Sequence, residues 1–96
     1  MVSIKEATES AMTFARAALG SERTNDLRLE EIESTMIGGE DAWLITLSMT
    51  AVDPPGSVGG AFAAVLGKGK REYKTFTVLK RDGEVKSMKI RELADA

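Results

Sequence analysis

The chain predicts an α+β domain, an N-terminal helix packed on a four-stranded antiparallel meander, and three observations lead there. Apolar residues at helical spacing occupy its start, period-two alternation recurs in later stretches, and glycine-bearing turn signals separate those stretches. One such domain is what 96 residues can build.

The helix is expected over 3–19. Ile4, Ala7, Ala11, Phe14 and Ala18 recur three and four residues apart and so share one face, which Met12, Ala15 and Leu19 widen. Ser3 and Glu6 stand at capping-box spacing, each side chain within reach of the other's free backbone N–H, and Gly20 supplies a left-handed stop.

After the polar linker SERTND, the stretch LRLEEIESTMI (27–37) reads as a strand whose phase changes. Leu27 and Leu29 fall on one face and Ile32 and Met36 on the other, a conflict that a bulge near Glu30 and Glu31 resolves. GGED then turns the chain into AWLITLSMT (42–50), where Trp43, Ile45, Leu47 and Met49 alternate with Leu44, Thr46, Ser48 and Thr50. That alternation places Trp43 in the core. EYKTFTVL (72–79) forms a third strand with Phe76 and Val78 inward. EVKSMKIR (84–91) forms a fourth with Met88 and Ile90 inward, joined to the third by a KRDG hairpin turn. Neighbouring antiparallel strands pair most readily, so the expected sheet is a meander whose second face is polar and wet. Lys74, Lys86, Lys89 or Arg91, with Glu31 or Glu33, would display there.

Composition narrows the chemistry. Cysteine and histidine are both absent. No disulfide, thiolate nucleophile or thiolate metal site can form, and the usual neutral-pH general base and the commonest transition-metal ligand are missing. The expectation is a non-enzymatic chain without cofactor. No apolar run reaches membrane-spanning length, and Glu6 and Glu9 interrupt the start where a signal peptide would be apolar, which reads as cytoplasmic. Net charge is −2, but it is distributed unevenly. Ten acids face four bases in residues 1–60, and nine bases face five acids in 61–96.

The connection at about 51–69 is far longer than a hairpin needs and is expected to be a flexible loop. Its glycines and lysines do not make a P-loop, because Phe62 stands where the first glycine is required and Gly69 follows Lys68 in place of a hydroxyl residue. What it offers is an apolar tip, Phe62, Val65 and Leu66, on a basic stem, Lys68, Lys70 and Arg71, suited to a protein partner or a homodimer mate. A helical turn that folds Phe62 and Leu66 onto the open end of the core is the structural alternative. A two-fold dimer through this loop or a sheet edge is the expected assembly.

Two other groupings bear on function. Glu30, Glu31 and Glu33, with Glu40 and Asp41, could attract a hard cation, or simply form a solvated acidic strand face. The late bases Lys68, Lys70, Arg71, Lys74, Lys80, Arg81, Lys86, Lys89 and Arg91 could follow a nucleic-acid backbone, with Tyr73 or Phe76 as a stacking platform. The principal reading is therefore a protein-interaction or regulatory module, and the alternative is a nucleic-acid-binding accessory domain.

In order, the helix, the strand Trp43–Leu47, the Y-x-x-F-x-V strand from Tyr73 to Val78 and the D-G-x-V turn from Asp82 to Val85 resemble the small helix-plus-meander modules of the PepSY type. The resemblance implies the same helix-on-meander architecture. Cystatin-like proteins share that element order, but their Q-x-V-x-G hairpin is absent, so protease inhibition is not implied. A gas-vesicle accessory family shows a comparable helix and Trp-then-Tyr strand order.

Overall fold

The computed structural model describes residues 1–51 and 71–92. It has one helix, α1 (Ile4–Leu19), a short 3₁₀ turn (Ser21–Arg23) and four strands: β1 (Asn25–Ile37), β2 (Glu40–Thr50), β3 (Arg71–Leu79) and β4 (Val85–Ile90). The strands form one antiparallel sheet in the order β1-β2-β3-β4. The expected α+β meander is the observed fold.

Each end of α1 is held as its sequence dictates. Ser3 Oγ accepts from the Glu6 backbone N–H at 3.1 Å and Glu6 Oε1 accepts from the Ser3 N–H at 3.0 Å, while Gly20 ends the helix at φ 85°. The packed face, however, is rotated from the expected one. Ala7, Ala11 and Ala15 are buried, one turn apart, whereas Ile4, Phe14 and Ala18 are exposed. Small side chains let the helix backbone approach the sheet closely, and the larger residues flank that line of contact. Phe14 still contributes, meeting Phe76 edge to face with centroids 6.3 Å apart.

α1 lies over β2, β3 and β4. Ile45, Leu47 and Met49 from β2 and Phe76 and Val78 from β3 close the core beneath it. Trp43 belongs to this face but is only half-buried, so the expected core tryptophan is in fact a margin residue. Met88 and Ile90 point toward the helix side, opposite Phe76 and Lys74. Ile90 nonetheless remains 76% exposed, because alternation sets a side chain's direction and burial requires a covering layer. Lys74 departs the other way. It shares the helix-side face with Phe76 and is buried, its stem lying along apolar surface and its Nζ 4.0 Å from Glu72 Oε2.

The hairpins follow their turn residues. Gly38 and Gly39 both have positive φ (55° and 81°), the conformation that a tight β1–β2 turn demands. Between β3 and β4 only Gly83 is left-handed (φ 79°). A Cβ there would also come within 3.2 Å of Ser10 Oγ, so this glycine serves both the turn and the approach of α1.

The expected bulge in β1 is present. The register shifts between Leu29, opposite Leu47, and Glu31, opposite Thr46, which returns Leu29 and Ile32 to the same face. A second irregularity lies between Asn25 and Arg28, where Asp26 takes φ 52°, a conformation that aspartate tolerates better than most residues.

Candidate interaction surface

Phe62, Val65, Leu66, Lys68 and Lys70 of the expected recognition loop lie outside the described residues, as does the flexible character expected of 51–69. Arg71 is described and opens β3. Its partner across the ladder is Thr50, the last residue of β2, so the long connection leaves and re-enters the sheet at directly paired positions. The Arg71 guanidinium turns onto the sheet: Nε donates to Ser48 Oγ at 2.9 Å, and Nη1 to Asp26 Oδ2 at 2.9 Å. With its side chain 19% exposed, Arg71 locks β1 to the β2–β3 base. Its sequence gave no signal for this role, since Asp26 is 45 residues away.

The sheet face away from α1 is polar, as expected, but its centre is not wet. Thr46 and Thr77 are nearly inaccessible and Ser48 is fully so. Their hydroxyls are satisfied laterally: Thr46 with Thr75 at 3.0 Å, Ser87 donating to Thr77 at 3.0 Å, and Ser48 donating to Glu30 Oε2 at 2.6 Å. Short hydroxyls in adjacent strands reach one another, and longer ionic side chains bridge above them.

Many of the described charged residues that fall into groups of one sign along the chain are engaged with the opposite sign. Arg81 meets Glu40 at 2.7 Å, Arg91 meets Glu31 at 2.8 Å, and Lys86 lies 4.0 Å from Glu84. The Asp26 carboxyl is held below its ordinary value, first by hydrogen bonding from Arg71 and then from Arg28. Glu6 is likewise lowered by the Ser3 backbone and hydroxyl donors. Among the described residues, no three carboxylates converge as a metal site requires. An open groove between α1 and Gly83–Val85 carries Glu6, Glu9 and Glu84, but Glu6 is committed to the helix cap and Glu84 lies by Lys86.

Among the described residues, the helix side of β1 carries exposed apolar side chains. α1 packs mainly on β2, β3 and β4, and on this edge strand Leu29 (42% exposed) and Met36 (65%) stand open beside the half-buried Leu27 and Ile32. Trp43 adjoins them opposite Ser34. Lys80 covers its ring, with Nζ 4.0 Å from the centroid and donating to Ser34 Oγ at 2.6 Å. The Trp43 Nε1–H is buried and has no acceptor among the described residues. Sequence alternation identified these side chains as inward-facing but carried no information on how far the helix would reach.

Among the described residues no helix is long and apolar enough to cross a membrane. Comparison of the chain with protein-family models, with curated proteins and with solved structures found no match.

Proposed function

We propose that this chain is a non-enzymatic protein-interaction module whose contact surface includes the β1 flank of the sheet. The observation that carries the reading is the apolar stripe Leu29, Ile32 and Met36 on an edge strand outside the main packing of α1. Apolar side chains beside a strand edge favour a protein partner, because burial of that surface and completion of the edge stabilise the same contact. The recognition loop with Phe62, Val65, Leu66, Lys68 and Lys70 belongs to the proposal as a second contact element. Its base at Thr50 and Arg71 opens onto the sheet.

A protein surface is favoured over nucleic acid because Arg71, Arg81, Lys86 and Arg91 each lie within 4.0 Å of a carboxylate, which reduces the charge available to phosphates. A cytoplasmic setting is part of the proposal, supported by the acids Glu6 and Glu9 at the start of the chain. The PepSY-like ordering of elements enters as architecture and contributes no partner.

The test is affinity capture from the native host with wild-type and Met36→Asp baits, read by quantitative mass spectrometry. Met36 is exposed, so the variant should melt with wild type while losing the captured protein, whether foreign or a further copy of this chain. Identical capture by the two baits would overturn the reading.

A further inference from the structure

The two edges of the sheet carry opposite charge on one face and matching apolar residues on the other. On β1, Glu31 and Glu33 stand opposite Thr46 and Leu44, away from the helix, while Ile32 stands opposite Ile45 on the helix side. On β4, Ser87 and Lys89 stand opposite Thr77 and Thr75, away from the helix, while Met88 and Ile90 face the helix side. Directly paired residues point the same way, so these assignments follow from the register. Glu33 and Lys89 have no ion-pair partner among the described residues, and Ile90 is the most exposed apolar residue of either edge.

We propose that the partner of this surface is a second copy of the chain, added head to tail, with β4 of one copy extending the sheet antiparallel to β1 of the next. The proposal rests on the interaction-module reading for the claim that the β1 flank is a contact surface. Strand directions permit it: in a four-stranded antiparallel meander β1 and β4 run oppositely, so a copy placed alongside in the same orientation presents β4 antiparallel to β1 with its helix on the same side. One register satisfies both faces. Glu33 lies opposite Lys89 of the neighbour and Ile32 opposite its Ile90, with Ser34 against Met88 and Thr35 against Ser87, while Glu31 and Arg91, already paired within each copy, add no new charge match.

A two-fold arrangement does not achieve this. Pairing β1 with β1 gathers Glu31 and Glu33 of both copies on one face, with no base on either strand between residues 29 and 37. Pairing β4 with β4 gathers Lys86, Lys89 and Arg91. Like charges set opposite one another destabilise a ladder, so the sign pattern selects the head-to-tail contact. Such a contact is heterologous, and it grows into an open string unless its rotation closes a ring.

Sedimentation velocity on the full chain, over a concentration series at low and high salt, is the first measurement. Species larger than a dimer that dissociate with salt are expected. Glu33→Lys and Lys89→Glu should each weaken association about tenfold, and the two together in one molecule should restore it, since the edges are again complementary. The absence of native cysteine allows a second, geometric readout. Ile32→Cys mixed with Ile90→Cys should form the mixed disulfide under mild oxidation, in preference to either self-linked product. A monomer at high micromolar concentration, a dimer indifferent to both charge reversals, or preferential self-linking of Ile32→Cys would overturn the proposal. Should copies fail to associate while Met36→Asp still abolishes capture of a foreign protein, the head-to-tail contact fails and the interaction-module reading stands.

Discussion

Arg91 and Glu31, 60 residues apart, meet across the face of the sheet opposite α1: Nη1 of Arg91 donates to Glu31 Oε2 at 2.8 Å and to Thr46 Oγ1 at 3.1 Å. The arginine follows β4 and the glutamate lies on β1, so one side chain ties the two edges of the sheet through a hydroxyl on β2.

Both side chains are more than a third exposed (38% and 54%), so solvent screens the pair. A double-mutant cycle of Glu31→Ala and Arg91→Ala, read by urea unfolding of the monomer, should give a coupling of about 0.2–1 kcal/mol that shrinks with salt. A coupling several times larger and insensitive to salt would show that the bridge acts as a buried pair.

Asp26 governs acid sensitivity at the base of β1. Hydrogen bonds from Arg71 and Arg28 hold its folded-state pKa below the ordinary 3.8. A depressed carboxylate contributes stability that is present above the unfolded value and disappears as pH falls through the folded one. Melting curves from neutral pH to well below 3.8 should therefore show Asp26→Asn less stable than wild type at neutral pH, with the gap closing as the solution becomes acid. A gap that stays constant across that range would assign the effect of the substitution to geometry instead of charge. Because φ is 52° at this position, Asp26→Gly should also be tolerated better than Asp26→Ala.

The alanine line on α1 sets the distance between helix and sheet. Ala11 is buried against a core containing Leu47 and Phe76. Ala11→Leu should destabilise by about 1–3 kcal/mol despite its greater hydrophobicity, since the added atoms have no space to occupy. The same change at exposed Ala18 should be nearly neutral. Equal effects at the two positions by chemical denaturation would show that the buried line is misplaced.

Trp43 reports on Lys80. The indole is half-buried with the ammonium over its ring, so Lys80→Ala should red-shift its fluorescence and increase quenching by iodide without lowering the melting temperature much. Trp43→Ala should cost about 2–3 kcal/mol, less than the loss of a fully enclosed tryptophan. Emission unchanged in Lys80→Ala would mean that the lysine does not cover the ring.

The helix and the four strands were legible in the chain because each rests on local chemistry, whereas the 3₁₀ turn at Ser21–Arg23 falls in what reads as a polar linker. The Ser3–Glu6 capping box, Gly20, the alternation from Trp43 to Met49, the Gly38-Gly39 turn and the phase conflict between Leu29 and Ile32 all concern residues a few positions apart, and each has its counterpart in the structure. The side of the sheet to which Ile90 and Trp43 point was legible for the same reason. Tertiary structure alone decided how much of each is covered, because covering depends on where α1 settles. The helix settles on Ala7, Ala11 and Ala15, where close approach is sterically allowed, and not on the bulkier Ile4 and Phe14. That placement buries β2 and β3, leaves the apolar stripe of β1 open, and converts alternation into a surface. The pairing of charge was equally invisible along the chain. Grouped by sequence, Arg71 and Arg91 belonged to a basic stretch and Asp26 and Glu31 to an acidic one. The antiparallel register brings those stretches together across the sheet, and Coulomb attraction at about 3 Å then sets partners that no local spacing encodes.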